Sequence, residues 1–487
     1  MHKKFFGVVA IFLVQWQTEA QTLTKTQLAI SPEPNVYANV KWVDLDGDSD
    51  MDVVELYSDP NDDSKSFVKV YQNTNGTFDE QQNAFSVSSI DPRSFDFNDV
   101  DGDSDIDLLF LDNEGVKIAV NNGGFTFVIQ YTTISNPNNW HTEIHWKDLD
   151  QDQDLDIVFD MFIYMNEAGV YHPALHNMPF YTRNRSWADV NNDGYLDMVA
   201  TKGQTNGVDP LFLFINEGDG LFKESRQLSS GFMDSGQTQW LDADADGDVD
   251  LFITEDGEKC TLFDNTFSAS GVADLQRRVS FKTLSNPKAD VGDLNLDGLP
   301  DIIISGQGNL GFETYLYRNA STSTEMKFVE TNLEIKPNYV SNFDLVDIDG
   351  DLDLDLFLLG WEDGNYSVRS QDVYKINPGN TRPLPAVPNT LTTLVGERVT
   401  MSWNHNANQG AVFYDLAIDL DGVPFTSGLA HGNGKLLMPD ILSFQTARQI
   451  KLQNLPPGHY EWRVQAFDHA HRTSGFSESS SFTIVEA

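Results

Sequence analysis

The chain contains one cysteine, Cys260, in 487 residues, so no intramolecular disulfide can form. If the protein is exported, something other than disulfide staples must stabilise it. Basic residues are scarce: 31 Lys and Arg stand against 74 Asp and Glu, a net charge of −43. That balance excludes nucleic-acid binding through phosphate neutralisation and opposes docking on anionic membranes. Beyond the N-terminus no apolar run is long enough to span a bilayer. The pattern HExxH is missing: His141 and His145 stand in HTEIH, where a strand would not bring them to one helical face. His172 and His176 are read as structural, and His469 and His471 as exposed loop residues. No nucleophile–base set is visible. Cys260, in the run Lys259-Cys260-Thr261-Leu262, reads as a half-buried strand residue rather than a reactive thiol.

Hydrophobic residues make up 40% and aromatics 11%, enough for packed cores, and the length favours two domains. The first residues have the grammar of an export signal. His2, Lys3 and Lys4 precede the apolar stretch Phe5 to Val14, and the small residues Thr18 and Ala20 precede a cut before Gln21. A signal peptide is therefore expected over 1–20. The location implied is secreted, extracellular or cell-surface, with the periplasm as the alternative.

The acidic excess is either a solvated surface or a store of ligands for hard cations, and its placement separates the two. One nine-residue segment recurs seven times, at intervals of 41 to 55 residues. It begins at Asp44, Asp99, Asp148, Asp189, Asp242, Asp293 and Asp347, and these seven loops hold 31 of the 74 acidic residues. The interval is that of a four-stranded propeller blade. An aromatic or aliphatic residue stands two before each loop (Trp42, Phe97, Trp146, Trp187, Trp240, Val291, Leu345), and the tryptophans are read as packing between blades rather than as a ligand cage. Apolar runs such as Ile302-Ile303-Ile304 follow the loops. Each third strand ends in an Asn-containing turn, at Asn73, Asn216 or Asn319 for example. The seventh unit lacks a fourth strand, so the segment Thr22 to Ile30 is expected to supply it and close the ring.

Within each loop, Asp at position 1, Asp or Asn at 3, Asp at 5 and Asp at 9 place short oxygen donors on one tight turn, with the position-7 carbonyl available to complete the set. Ca²⁺ takes six to eight such oxygens, whereas Mg²⁺ prefers to keep its waters. The expected ligand positions are Asp44, Asp46, Asp48, Asp50 and Asp52; Asp99, Asp101, Asp103, Asp105 and Asp107; and Asp148, Asp150, Asp152, Asp154 and Asp156. They continue with Asp189, Asn191, Asp193, Tyr195 and Asp197; Asp242, Asp244, Asp246, Asp248 and Asp250; Asp293, Asn295, Asp297, Leu299 and Asp301; and Asp347, Asp349, Asp351, Asp353 and Asp355. At position 7 only the carbonyl is expected to contribute, with any Asp side chain there facing solvent. Two carboxylates about 5 Å apart repel by roughly 3 kcal/mol at an effective dielectric near 20, so five in nine residues fold poorly without a cation. Up to seven Ca²⁺ sites follow, which would reduce the charge to about −29. Loops three and seven are expected to be weakest, because Gln153 and Leu352 replace glycine at position 6. An EF-hand is excluded: only Glu55 falls at position 12, and the flanks are strands.

These loops and the strands after them resemble FG-GAP or VCBS repeats, the units of integrin α-subunit propellers and of many secreted bacterial proteins. The likeness runs from about Thr22 to Asn380. It implies a Ca²⁺ loop between the first and second strands of each blade, held by positions 1, 3, 5 and 9 and the carbonyl at 7. The Phe-Gly and Gly-Ala-Pro signatures are mostly missing, which places the chain nearer the VCBS variety and gives no ground for integrin-type recognition.

Pro383, Pro385 and Pro388 mark a stiff linker over 381–388. In 389–487, Val399, Met401 and Trp403 alternate with polar residues, and Leu455-Pro456-Pro457-Gly458 leads into Tyr460 and Trp462. This resembles a fibronectin type III domain, with Trp403 as the core tryptophan and Tyr460 as a tyrosine corner. The expected fold class is all-β: a seven-bladed β-propeller over 21–380 and a fibronectin type III-like β-sandwich. The expected role is a Ca²⁺-stabilised, monomeric binding or adhesion module for an extracellular polysaccharide or protein, with no nucleic-acid partner and no membrane insertion. The alternatives are a carbohydrate-active lyase or hydrolase and a structural subunit of a surface assembly.

Overall fold

The structure is a computed structural model. It describes residues 23–27, 38–58, 65–88, 94–103, 105–136, 143–152, 154–167, 169–174, 182–202, 209–218, 220–232, 236–309, 311–322, 325–331, 335, 339–361, 369–376, 381–395, 398–404, 412–424, 448–452 and 455–485. The expected signal peptide lies outside these residues, as do His141, His176 and Gln153.

From Leu23 to Ile376 the described chain forms seven antiparallel four-stranded sheets, in six of which the strands follow one another in sequence order. The first sheet runs Ala38–Val43, Asp52–Ser58, Lys65–Thr74 and Thr77–Ser88. Second strands such as Asp107–Leu111 and Asp250–Thr254 are buried at every position. They are covered on both faces by neighbouring sheets, which is why they read as unbroken apolar runs rather than alternations. Outer strands behave differently: Phe127–Ser135 mixes exposed and half-buried positions.

The tryptophans pack where neighbouring sheets meet. Trp42 lies edge-on to Phe357 of the seventh sheet, with ring centroids 5.2 Å apart. Trp146 packs with Leu109 and Ile118 of the second sheet, and Trp187 with Val158 of the third sheet and Leu149 of the loop it carries. Full burial of one such side chain contributes roughly 2–3 kcal/mol. Polar groups of the first strands also join neighbouring sheets. Asp96 Oδ2 accepts the Trp146 N–H at 2.9 Å, and Asp290 Oδ2 accepts the Leu345 N–H at 2.7 Å.

The seventh sheet contains the first described strand. Leu23–Gln27 pairs antiparallel with Arg369–Ile376, Leu23 opposite Ile376, and the Lys25 ammonium meets Asp372 at 2.7 Å. The edge strand expected from the N-terminal segment is therefore present over these residues, and it covers backbone donors that would otherwise face water.

After Thr390, a three-stranded sheet (Thr390–Val395, Arg398–Trp403, Gln449–Leu452) and a four-stranded sheet (Val423–Pro424, Val412–Leu420, Gly458–Asp468, Ser480–Ile484) share one core of Val399, Met401, Trp403, Tyr414, Tyr460 and Trp462. The Trp462 indole N–H donates to Thr392 Oγ1 at 2.8 Å, tying one sheet to the other. The Tyr460 hydroxyl donates to the Pro456 carbonyl at 2.8 Å.

One expectation is overturned. His469 is not exposed but buried, with Ala470 and Arg472 beside it. The turn that carries them leaves the C-terminal sheets and packs on the seven-sheet part, so Ala470 joins the cluster of Leu294, Leu345 and Leu354. A His-Ala-His run gives no sign of such docking. Cys260 is fully buried rather than half-buried, and burial pushes its thiol up to about 12, which leaves it inert.

Candidate metal centres

Each aspartate loop leaves the end of a first strand and returns as the second. Two backbone twists shape it. Position 4 is left-handed in every loop, with φ between 52° and 76° at Gly47, Gly102, Gln151, Asn192, Ala245, Leu296 and Gly350. Position 6 is left-handed wherever it is described, at Ser49, Gly194, Gly247, Gly298 and Leu352, with φ from 70° to 98°. The sequence pointed to position 6 and missed position 4, where Gly47, Gly102 and Gly350 mark the conformation in three loops but Gln151, Ala245 and Leu296 conceal it in three others.

These twists turn loop N–H groups onto the position-1 carboxylate. Asp44 accepts from Gly47 and Ser49 at 2.9 and 2.7 Å, and Asp189 from Asp193 and Gly194 at 3.0 and 2.8 Å. The position-7 N–H in turn donates to the position-5 side chain, as from Asp50 to Asp48 at 2.9 Å.

In five loops three carboxylates converge, with one oxygen from each lying within 4.8 Å of the others: Asp44, Asp46 and Asp48; Asp99, Asp101 and Asp107; Asp148, Asp150 and Asp156; Asp242, Asp244 and Asp246; and Asp347, Asp349 and Asp351. Loops three and seven are among them, so this convergence does not set them apart as the weakest. Loops four and six, which have Asn191 and Asn295 at position 3, show no such trio among the described residues.

Position 9 has a second occupation. Asp52 accepts the Leu45 N–H at 2.9 Å on one oxygen and the Asn73 N–H at 2.8 Å on the other. Asp107, Asp156, Asp197 and Asp250 repeat the pattern with Asn121, Asn166, Asn216 and Asn265. The Asn side chain then reaches the preceding loop. Asn121 Nδ2 donates to Leu45 O at 2.9 Å, Asn216 to Leu149 O, Asn265 to Val190 O and Asn319 to Ala243 O at 2.8 Å each, and Asn73 to Ile348 O of the seventh loop at 2.9 Å. These asparagines were legible as turn residues, since Asn73 Oδ1 does accept the Gly76 N–H at 2.8 Å. Their wiring from sheet to sheet was not. A regular Asn after every loop was the available signal.

Position 7 also differs from expectation. Asp248 is buried and its Oδ1 accepts from Asn192 of the fourth loop at 3.1 Å, while Asp50 Oδ2 accepts the Asn75 N–H at 2.7 Å. Asp248 thus braces a neighbouring loop away from solvent, while Asp50, half-buried, braces a turn at the surface.

Burial first, and then neighbouring carboxylates, push the loop acids up: Asp52 and Asp197 to about 8, Asp156 to about 9, Asp107 and Asp189 to about 7. Asp242 and Asp250 are likewise raised well above the ordinary carboxylate range. Hard, crowded, partly desolvated oxygens of this kind suit a divalent cation, which neutralises them together.

Three segments, 99–159, 189–253 and 293–358, match the FG-GAP-like repeat. Together with the repeated four-stranded sheets of an all-β chain, they support an FG-GAP β-propeller. No curated protein matches the sequence. Among solved structures, the chain is similar to an Agrocybe aegerita lectin described as recognising non-reducing terminal N-acetylglucosamine (14% identity, 86% of this chain and 85% of that one, TM-score 0.34). It is also similar to the WD40 domain of fission-yeast SCAP (9%, 96% and 91%, TM-score 0.33) and to the Bacteroides ovatus xyloglucan-locus GH43B (10%, 80% and 91%, TM-score 0.27). Among the described residues no helix is long and apolar enough to cross a membrane.

Proposed function

We propose that the protein is an exported, Ca²⁺-binding, seven-bladed β-propeller with a fibronectin type III-like C-terminal sandwich, acting outside the cell as a binding module for a polysaccharide or protein. The observation that carries the metal reading is the convergence of three carboxylate oxygens within 4.8 Å in five separate loops. Positions 1 and 3 are the principal ligands, joined by position 5 in loops one, five and seven and by position 9 in loops two and three, and the carbonyls of Asp50, Asp105, Asp154, Tyr195, Asp248, Leu299 and Asp353 complete the shell. Position 9 binds through whatever lone pairs its backbone bonds leave. The ion supplies charge neutralisation and holds each loop in its doubly left-handed course. The sandwich reading is supported by the Tyr460–Pro456 bond and by the core around Trp403 and Trp462.

Binding is preferred to catalysis because the chemistry-bearing side chains have structural employment. Cys260 is buried, His145 packs against Trp187 at 6.0 Å, and His469 packs against Phe413 at 4.7 Å. Metal analysis of purified protein with a Ca²⁺ titration by calorimetry tests the first claim; a folded chain that takes up no Ca²⁺ would end it. A glycan array run with and without Ca²⁺ tests the second, and release of products from a polysaccharide panel would replace the binder by an enzyme.

A further inference from the structure

Loop six differs from the others in what faces it. It carries three carboxylates, Asp293, Asp297 and Asp301, against five in loops one, two, three, five and seven. Two guanidinium groups stand near them. Arg318 Nη1 is 3.7 Å from Asp301 Oδ2, and Arg382 Nη1 is 3.9 Å from Asp293 Oδ2. Arg382 belongs to the linker, not to the propeller. Its guanidinium lies against the backbone of Gly298, loop position 6, so closely that a Cβ there would overlap it.

The arginine is held in place from the C-terminal domain. Arg472 Nη1 donates to the Arg382 carbonyl at 3.0 Å, and Asp468 clamps the Arg472 guanidinium through Nε at 3.1 Å and Nη2 at 2.6 Å. The same turn grips the loops directly. The Asp293 N–H donates to the His469 carbonyl at 3.0 Å, and the Asp242 N–H to His469 Nε2 at 3.4 Å. The backbone N–H of the first loop-six ligand thus bonds the C-terminal domain, while its carboxylate faces the linker arginine.

We propose that loop six is a latch between the domains: Arg382 serves as its built-in cation and stands in for a metal ion while the C-terminal domain is docked. A guanidinium and a divalent ion drawn to the same carboxylate repel one another, so the two compete. Docking and metal uptake at this loop are therefore antagonistic, and by linkage each weakens the other to the same degree. The metal half of this claim rests on the Ca²⁺ reading above; the docking half does not.

The test uses the full chain and the variants Arg382→Ala, Arg382→Gln and Arg382→Lys. Native mass spectrometry in Ca²⁺ should show one more bound ion per chain in the Ala and Gln variants than in the parent, with Lys holding the parental count. In metal-free buffer the same two variants should show faster protease cleavage within 381–388 and a larger radius of gyration by small-angle scattering. Unchanged cleavage and radius would overturn the latch. An unchanged ion count in a variant whose domains have separated would overturn the claim that the arginine holds an ion's place. Asp193→Asn in loop four is the control: loss of one ion in parent and variant alike upholds the Ca²⁺ reading. A parent that binds none brings down that reading and the metal half with it, while scattering and proteolysis still judge the docking half.

Discussion

At the scale of single residues, aspartates spaced alike along the loop have unlike tasks. Asp197 is buried and takes backbone N–H groups from Val190 and Asn216 at 3.1 and 2.8 Å; Asp193 is exposed and contacts its own loop. Replacing Asp197 by Ala strands two buried donors, so urea denaturation in chelator should show a loss of about 2–4 kcal/mol. Asp193→Ala should change metal-free stability by less than about 1 kcal/mol while removing one ion from the mass spectrum. Equal losses for both would remove the distinction between staple and ligand. Asn216→Ala breaks the bond to Leu149 O in the preceding loop and should cost about 1–2 kcal/mol by the same assay. The spacing of the aspartates was plain in the sequence because it repeats. Their division of labour was not, because the partners of position 9 are backbone N–H groups, one 7 residues back in the same loop and one 10 to 21 residues on, which leave no mark of their own on composition.

At the scale of elements, what could be read were patterns that local physics enforces: apolar second strands, turn asparagines, tryptophans two before a loop. The N-terminal edge strand could also be inferred, since one unit was a strand short. What escaped was contact between distant parts. The Asp468–Arg472 turn looked like any polar loop, yet its burial is decided by Leu294, Leu345 and Leu354 on the other domain. The left-handed φ of Leu296 and Ala245 went unseen for a related reason: the loop's bonding network imposes it against the preference of the side chain. For the edge strand, deletion of residues 23–27 should accelerate hydrogen exchange and proteolysis across Arg369–Ile376, where Lys25 now pairs with Asp372. Unaltered exchange there would mean that the pairing contributes little.

At the scale of the whole molecule, the loop acids set a pH dependence whose sign should change if Ca²⁺ occupies the loops as proposed. Without metal, Asp52, Asp156 and Asp197 hold protons more tightly in the folded chain, up to about 8, 9 and 8, than in the unfolded one near 3.9. Their contribution is fully present below pH about 4 and is lost as pH rises towards 9. Metal-free protein should therefore melt at a lower temperature at pH 8 than at pH 5. With Ca²⁺ in excess the order should reverse, because protons compete with the ion and acid strips it. Differential scanning calorimetry at the two pH values, with chelator and with Ca²⁺, checks both signs. A metal-free protein that is more stable at pH 8 would show that the loops are not strained by their own charge.

The pairing of Leu23–Gln27 with Arg369–Ile376 has a consequence for how the molecule is made. Lys25 and Asp372 are 347 positions apart, so a chain delivered from its first residue must carry an unmated strand until nearly all of the seven-sheet region has emerged. Until then the leading strand offers bare backbone to any neighbour. A nascent or truncated product that stops before residue 369 has no mate for its leading strand, and self-association rather than a smaller stable ring is its expected fate.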